Sequence, residues 1–360
     1  MNEVKNIVVF GSTKEEIHLG CKSLVNGLDK LLIDKYGNDI NIQHISHRYL
    51  SPFFYKKLYS CESQKYFLNL KTKSTKIVEK RDYNTWKEAY LSMLQNDVFL
   101  NLTIKNSDLI IINVEGTIHH KSLLGHQMLA IGKMASDLDK KVFWVNFSVQ
   151  DEDESILLSA LKNATKISAR EVNSFNYLSS LGLTVEQSFD TAICANYEIN
   201  KFNTKLDLGK ACLFTGSNVK KYDLVEIANQ ITLLGLTPIY LPLGLNDYND
   251  LQLIKKNNIK YFDYLEISPK QIVNIISQVE MVVSGRHHLN VFCIIASKPF
   301  VALESNTWKI KGVCDMINYK VDFDLNISEY IKRIYDNREE LSNQLTEFYK
   351  PLYQLAQNNI

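Results

Sequence analysis

The stretch Val282–Leu303, VVSGRHHLNVFCIIASKPFVAL, constrains the fold of this chain more than any other segment. An apolar run ends at Ser284, a short basic cluster follows at once, and an apolar segment of helical length then leads into a second apolar run. This order predicts a strand, a tight turn, a helix and a further strand, as in an open parallel α/β sheet. The cluster Arg286-His287-His288 therefore lies where a strand ends and a helix begins.

That turn has the chemistry of an anion-binding site. In open parallel sheets ligands bind at the carboxyl ends of the strands, and the free amides of a helix start favour an anion. The guanidinium of Arg286 can hold a phosphate or carboxylate through two hydrogen bonds, and a neighbouring histidine can transfer a proton near neutral pH. The same residues also fit a solvated helix start with one histidine packed on the sheet, so the motif alone leaves both interpretations open.

Polar residues also follow predicted strands in the first half of the chain. The run NIVVF leads into a loop that carries His18, and the run LIIINV ends at Glu115, with His119 and His120 close behind. Glu115, His119 and His120 could hold an acceptor sugar or supply a base, and His18 could contact a substrate from the same edge of the sheet. These residue types also bind metals, but no third ligand has the expected local spacing, so no metal site is predicted.

An α/β alternation continues on both sides of a polar stretch at about residues 195–207, which is typical of a linker. The chain is therefore predicted to be α/β, with two Rossmann-like domains facing a cleft in a glycosyltransferase-B-like arrangement. The predicted domains are 1–195 and 208–325, followed by helices over 326–360 that pack on the second domain or cross back to the first. At 360 residues the chain is long enough for a core in each domain.

The net charge and the cysteine pattern limit which binding partners and which cellular compartment are expected. A net charge of +1 does not indicate a nucleic-acid-binding groove, so nucleic acid is not an expected partner. The six cysteines are scattered without a CxxC pair, which suits reduced thiols in a cytoplasmic protein. No apolar run approaches the roughly 18 residues that span a bilayer. Residues 46–84 mix aromatic residues with lysines; inward packing is favoured, and peripheral contact at the inner face of the membrane stays an alternative.

Several of these segments resemble the polysaccharide pyruvyl transferase family. SGRHHLN, followed by a small-residue helix and LESNTWKIKGVCDMI, is similar to that family's Ser-x-Arg-x-His turn and the lysine-containing segment after it. In this chain those positions fall on Ser284, Arg286, His288 and either Lys309 or Lys311. ISAREVNSFNYL resembles the family's strand that ends in arginine and an acidic residue, whose arginine is here Arg170. The family's Gly-Asn-x-Gly-Asp loop after the first strand is absent.

The resemblance implies a transferase that moves the enolpyruvyl unit of phosphoenolpyruvate onto two hydroxyls of a sugar. The acceptor would belong to a bacterial surface polysaccharide or its lipid-linked precursor, the product would be a pyruvate ketal, and no cofactor would be needed. His288 would be the catalytic acid, acting with Arg286, and His287, one position away on a helix, is expected to point elsewhere. The predicted donor-binding residues are Arg170, Ser284, Arg286 and Lys309, and the predicted acceptor-binding residues are His18, Glu115, His119 and His120.

Two other functions stay open on the sequence alone. A glycosyltransferase of the same architecture could use a nucleotide-activated sugar in capsule or lipopolysaccharide synthesis, with the donor phosphates at the same helix start. Glu304 could then hold a ribose or sugar hydroxyl, and the altered first loop and the turn around Glu115 keep this alternative open. A sugar-binding protein without enzymatic activity is the third possibility.

Overall fold

The computed structural model of the chain describes residues 4–58, 82–198, 208–219, 221–263 and 267–360. In its described part, the first half forms a six-stranded parallel sheet with the order β2-β1-β3-β5-β7-β8. A separate parallel pair, β4 with β6, lies after the main strands β3 and β5. The strands are β1 (Asn6–Ser12), β2 (Asn41–Ser46), β3 (Leu109–Asn113), β4 (Ile118–His119), β5 (Lys141–Phe147), β6 (Val149–Gln150), β7 (Lys166–Ala169) and β8 (Glu186–Gln187).

Helices cover both faces of this sheet. Alternate residues of β1 point to opposite sides: Ile7 and Val9 join the core beneath the first helix, whereas Val8 and Phe10 join a second core. Strand β3, LIIIN, is buried along its whole length, as expected of a central parallel strand covered on both faces. The helices are α1 (Leu19–Tyr36), α2 (Pro52–Leu58), α3 (Tyr83–Asn96), α4 (Val98–Lys105), α5 (Leu123–Asp137), α6 (Glu154–Leu161), α7 (Val172–Ser180) and a 3-10 turn (Thr191–Cys194).

The second half forms a five-stranded parallel sheet with the order β11-β10-β9-β12-β13. The strand, turn, helix and strand predicted over Val282–Leu303 are β12, the turn at Arg286, α12 and β13, so that prediction is confirmed. The elements are β9 (Ala211–Ser217), α8 (Leu224–Leu233), β10 (Thr237–Tyr240), α9 (Leu245–Tyr248), α10 (Leu251–Lys256), β11 (Lys260–Tyr261), α11 (Ile272–Ser277), β12 (Met281–Gly285), α12 (His287–Ile295), β13 (Phe300–Ala302) and α13 (Lys309–Met316).

The predicted fold class is confirmed: the chain is α/β with two Rossmann-like domains. In each sheet the strand order reverses beside the first strand, between β1 and β3 and between β9 and β12. Such a reversal opens a crevice at the carboxyl ends of the strands, where ligands of open α/β sheets bind.

The chain ends by returning to the first domain. Helix α14 (Ile327–Asp336) packs against α8 of the second domain, and α15 (Arg338–Ala356) leads to a terminal 3-10 turn (Gln357–Asn359). There the Asn359 carboxamide oxygen accepts from the Asn146 amide at 2.8 Å, and the Asn358 carbonyl accepts from the Ser168 hydroxyl at 2.8 Å. The proposed boundaries at 195 and 208 flank residues 199–207, which lie outside the described part, so they stay a prediction.

Two details differ from the sequence expectations or complete them. The sequence predicts one helix from about Trp86 to Ile104, but the structure has two, α3 and α4, because the Asp97 carboxylate caps α4 by accepting from the Leu100 amide at 3.1 Å. In the aromatic and basic stretch over 46–84, Phe54 and Tyr55 are buried, as the inward-packing interpretation predicted. Residues 59–81 of that stretch lie outside the described part. Among the described helices, none is both long and apolar enough to cross a bilayer.

The two domains meet where α1 and α12 begin. The Leu19 amide donates to the Leu243 carbonyl at 3.0 Å, which joins the start of α1 to the second domain. Gly20 packs so tightly against α12 that a Cβ placed on it would lie 2.3–2.5 Å from three atoms of His288. The absence of a side chain at Gly20 therefore allows the amino ends of the two helices to face the same crevice.

We expect Gly20→Ala to destabilise the protein by about 1–3 kcal/mol, because the added methyl group overpacks against His288 close to its backbone. In a helix without such a contact, Ala would instead stabilise by about 0.5–1 kcal/mol. Chemical denaturation of Gly20→Ala and of the control Gly216→Ala measures the difference. A Cβ on Gly216 meets only ordinary contacts, at 3.4 Å or beyond. Equal stabilities for the two variants would contradict the tight approach.

Candidate active site

A cavity of about 440 Å³ opens between the two domains at the carboxyl ends of both sheets. Both domains contribute side chains, so the cavity depends on their mutual orientation. It is lined by Thr13, Glu16, Ile17, His18, Cys21, His47, Arg48, Glu115, Gly116, Thr117 and Arg170 from the first domain, and by Asn218, Gly244, Asp247, Gly285, Arg286, His287, His288, Ser305 and Lys309 from the second.

A buried carboxylate, Asp190, joins the two domains beside this cavity. Its Oδ2 atom accepts from Arg170 Nη1 at 2.8 Å and lies 3.0 Å from His287 Nε2 and 3.7 Å from His288 Nε2. Asp190 and Arg170 belong to the first domain and the two histidines to the second. Burial raises the pKa of Asp190, but the hydrogen bond from His287 and the charge of Arg170 outweigh burial and hold the pKa below its usual value. The carboxylate is therefore ionised.

Besides Arg48, which pairs with Glu16, three cationic side chains line the cavity. Arg286 forms an ion pair with Asp247 and donates to the Asn218 side chain, and Arg170 is paired with Asp190. Lys309 has no carboxylate partner among the described residues. A Cβ on Gly116 would lie 3.5 Å from both Arg170 Nη2 and Lys309 Nζ, so both cations border the glycine of the turn after β3.

The pKa of Lys309 falls to about 8 because burial disfavours its charged form and because Arg170 and Arg286 add like charge. Lys309 is thus repelled by Arg170 and Arg286, although each arginine is itself paired with a carboxylate. An anion bound there would relieve this repulsion and would itself be held by fixed charges.

Glu115 provides a carboxyl group on the first-domain wall. Its Oε1 atom accepts from Thr13 Oγ1 at 2.6 Å and from Asn113 Nδ2 at 3.2 Å. Its backbone adopts a positive φ of 52°, which is uncommon for a residue with a side chain and is often found at functional sites. Burial raises the pKa of Glu115, although Thr13 and Arg170 oppose the change. A carboxyl group with a raised pKa is suited to proton transfer.

His18 caps the start of α1 and faces the histidines of α12. Its Nδ1 accepts from the amides of Gly20 at 3.2 Å and Cys21 at 3.3 Å, so in the neutral ring the proton is on Nε2. Burial and, after it, the charge of Arg286 lower the pKa of His18 to about 4. The ring lies 5.7 Å from that of His288, centroid to centroid.

Three predicted site residues lie beside the cavity rather than on its lining. The ring of His120 connects the two domains. Its Nε2 lies 3.0 Å from the Asn306 carbonyl oxygen, and its Nδ1 lies 3.1 Å from Asp151 Oδ2. His119 precedes it in the short strand β4. The Ser284 hydroxyl accepts from the Arg286 amide at 2.9 Å and so shapes the turn. Their assigned roles in binding donor or acceptor stay predictions.

The expectation that His287 points elsewhere is wrong. His287 lines the same cavity as His288, and the two rings lie 5.2 Å apart. Both residues occupy the first turn of α12, which faces the first domain across the crevice, and Asp190 binds one ring and approaches the other. Neighbouring positions of a helix diverge in direction, but here the facing carboxylate lies between them.

Sequence reasoning did not assign a role to Asp190 or Asp247. Asp190 follows the last strand of the first sheet, at the same edge as Arg170, and Ser188-Phe189-Asp190 resembles the Asp-containing end of the family's first domain; neither signal gives it a role. Asp247 lies in the short helix α9, and nothing in the sequence links it to Arg286. Both form ion pairs with residues distant in sequence, which only the tertiary fold brings together.

Potential metal-ligand atoms lie within 4.8 Å of one another in two groups, His18 with Cys21 and His288, and Asp190 with His287 and His288. Both groups lie near Arg170 and Lys309, whose positive charges oppose a divalent cation. The Asp190 carboxylate is moreover already engaged by Arg170. We therefore assign neither group to a metal.

Comparison with known proteins identifies the family. The family model described as polysaccharide pyruvyl transferase matches residues 19–307, most of the chain. The chain belongs to the polysaccharide pyruvyl transferase family. It is therefore a transferase, and the matched span contains Arg170, Asp190 and the Arg286-His287-His288 turn.

Solved structures show the same fold at low sequence identity. A putative UDP-N-acetylglucosamine 2-epimerase from Listeria monocytogenes superposes with a TM-score of 0.61 at 13% identity, covering 99% of this chain and 94% of that one. The UDP-GlcNAc 2-epimerase of Neisseria meningitidis, solved with UDP-GlcNAc, gives 0.54 at 16% identity, with 99% and 95% covered. A search of curated protein sequences finds no match. These likenesses establish the glycosyltransferase-B-like fold alone.

The lowered pKa of Lys309 predicts how anion binding depends on pH. Sulfate keeps its charge across the range from about pH 7 to about pH 9.5, so it isolates the titration of the protein. A bound anion raises the pKa of Lys309; the affinity is therefore full below about pH 8 and falls by about tenfold per unit as the free lysine deprotonates above it. Calorimetric titration with sulfate measures this dependence.

Lys309→Met provides the control for that titration. We expect this variant to bind sulfate more weakly than the wild type at neutral pH. Its sulfate affinity should also lack the decline that the wild type shows above about pH 8. The same pH dependence in wild type and variant would assign the titrating group to another residue.

Proposed function

We propose that this family member is a pyruvyltransferase that moves the enolpyruvyl group of phosphoenolpyruvate onto a sugar of a bacterial surface polysaccharide or its precursor. The convergence of Arg170, Arg286 and Lys309 on one cavity supports this proposal most strongly. Phosphoenolpyruvate carries two anionic groups, a phosphate and a carboxylate, on a three-carbon skeleton. Such a donor needs two adjacent anion sites within a small cavity, and the paired arginines and the lysine supply them.

The alternative donor is a nucleotide-activated sugar. The neighbour from Neisseria meningitidis is bound to UDP-GlcNAc, and the shared fold makes such a donor the relevant competitor. A nucleotide would require a surface on which its base can stack, usually an aromatic ring. Among the described residues that line the cavity there is no Phe, Tyr or Trp, and Ile17 is the largest aliphatic side chain. The lack of such a ring on the described lining favours the smaller donor.

The reaction needs an acid near the donor and a group that accepts protons from the acceptor. His288 lines the cavity together with these cations and lies 3.7 Å from Asp190, which supports its assignment as the acid that protonates the methylene carbon. Burial, followed by His287 and His18, holds the pKa of His288 well below its usual value, against the opposite effect of Asp190. The ring is therefore neutral in the empty cavity, and bound donor phosphate would favour its protonated form.

Glu115 and His18 occupy the opposite wall, where a sugar hydroxyl could reach the donor from the cavity mouth. This supports their assignment to acceptor binding. The acceptor is a sugar or a lipid-linked glycan, the donor acts as substrate without a separate cofactor, and the protein works in the cytoplasm. A peripheral contact with the membrane would bring a lipid-linked acceptor to that mouth.

A thermal-shift comparison of phosphoenolpyruvate, UDP and UDP-GlcNAc tests the choice of donor. A ligand present at about 100 times its dissociation constant should stabilise the protein by about 2.7 kcal/mol. We expect stabilisation by phosphoenolpyruvate and, when a panel of p-nitrophenyl glycosides is added as acceptors, release of inorganic phosphate. Stabilisation by UDP-GlcNAc but not by phosphoenolpyruvate would favour the glycosyltransferase.

Arg286→Lys keeps the charge but removes the two parallel hydrogen bonds that a guanidinium can make to one anion. We expect the affinity for phosphoenolpyruvate to fall by roughly 10- to 100-fold, since one charge-assisted hydrogen bond contributes about 1.5–3 kcal/mol. Arg333→Lys is the matched control. Arg333 lies on helix α14, pairs with Asp322 and does not line the cavity. Unchanged donor affinity in Arg286→Lys would show that Arg286 has a structural role only.

A further inference from the structure

His287 differs from its neighbour in how its ring is held. Its Nε2 lies 3.0 Å from Asp190 Oδ2, and that carboxylate is ionised, so it can accept a hydrogen bond but cannot donate one. In a neutral ring the proton must therefore be on Nε2. The other nitrogen, Nδ1, is then an unprotonated lone-pair acceptor.

The free nitrogen has access to the cavity. His287 is among the cavity-lining residues, and its Nδ1 has no hydrogen-bond partner among the described residues. By contrast, His288 Nε2 is buried without a partner, and its 3.7 Å separation from Asp190 is too long for a hydrogen bond that would fix its tautomer. One histidine of the pair is thus locked as a base, and its neighbour is not.

A packing role alone does not account for this arrangement. Arg170 already balances the charge of Asp190 through a 2.8 Å ion pair, so the hydrogen bond from His287 compensates lost hydration of the carboxylate rather than its charge. A residue that only filled space would not need a polar ring nitrogen facing the cavity. The arrangement matches the general logic of an oriented base, in which a buried carboxylate fixes the tautomer of an imidazole whose second nitrogen faces the substrate.

We propose that His287 is a catalytic residue, a general base whose Nδ1 takes the proton from the attacking sugar hydroxyl while Asp190 holds the ring. This inference rests on the proposed pyruvyl transfer. It also assigns to Asp190, which lies in the other domain, the part of a positioning residue. The base would form only when the two domains are in contact.

The protons balance in such a reaction. The first hydroxyl loses its proton to His287 Nδ1 as its oxygen bonds to C2 of phosphoenolpyruvate, and C3 gains one proton from His288 to become a methyl group. The C2–O bond to phosphate then breaks with its electron pair on the phosphate. The second hydroxyl bonds to C2, and its proton goes to the departing phosphate. The proton held on His287 returns to His288, so each ring ends as it began, His288 protonated and His287 neutral, and no redox partner is needed.

Two substitutions at His287 separate the two ring nitrogens. Gln places an amide near the Nε2 position and can still donate to Asp190, but it offers no base at the Nδ1 position. We expect His287→Gln to lower kcat for phosphate release by about 10²-fold or more. The KM for phosphoenolpyruvate should stay within about threefold, because binding is left to the cations. Asp190→Asn should lower kcat as well, because it no longer fixes the tautomer.

The first domain offers a matched control. His126 Nε2 lies 2.8 Å from Glu152 Oε1, both side chains are fully buried, and neither residue lines the cavity. His126→Gln makes the same substitution at a buried histidine–carboxylate contact of the same geometry. It should alter stability in a comparable way and leave the kcat of the folded enzyme close to that of the wild type.

Ring nitrogen-15 spectra of the histidine-labelled enzyme give a readout that needs no turnover. The signal that disappears in His287→Gln should show a protonated Nε2 and an unprotonated Nδ1, and Asp190→Asn should change it. A protonated Nδ1 at rest would overturn the inference. The inference is also overturned if the wild-type enzyme releases phosphate from phosphoenolpyruvate and His287→Gln has the same kcat. In that case the proposed function stands. A wild-type enzyme that does not use phosphoenolpyruvate with any acceptor overturns both.

Discussion

The buried carboxylate of Asp190 is the interaction on which the rest of the site depends. An ionised group without exposure to water is tolerated only when hydrogen bonds and opposite charge compensate its lost hydration. Arg170 supplies one partner from the same domain and His287 supplies another from across the crevice. Removal of one partner from a buried pair typically costs about 3–5 kcal/mol. The arrangement of the two domains is therefore linked to the positions of Arg170 and His287 in the cavity.

Several independent features of the backbone and the side chains favour negative charge in the cavity. The amino ends of α1 and α12 both face it, and free amides at helix starts favour negative charge. Gly20 permits this convergence, since any side chain there would occupy the space of His288. Asp190 and Asp247 each engage an arginine, which leaves Lys309 as the cation without a carboxylate partner among the described residues.

Much of this could be predicted from the sequence because parallel strands bring their carboxyl ends to one edge. Arg170, Arg286, His288 and Lys309 line the cavity together, and so do the predicted acceptor residues Glu115 and His18. The remaining features arise from how the domains face each other, a relation that no local pattern encodes. Asp190 and Asp247 form ion pairs over long sequence distances. His120 instead reaches the Asn306 carbonyl, because the chain after β3 enters the small β4–β6 ladder and turns toward the second domain.

The resting charges also set an order for the proposed reaction. Burial lowers the pKa values of His18 and His287 to about 4 and that of His288 in the same direction, so these rings are neutral in the empty cavity at neutral pH. A protonated acid therefore has to arise after an anion has entered and offset the charges of Arg170 and Lys309. The donor accordingly binds before the acid is charged, and an acceptor that arrives first finds the acid still neutral. Keeping the acid neutral until then avoids an uncompensated charge in the unoccupied site and couples proton uptake to donor binding.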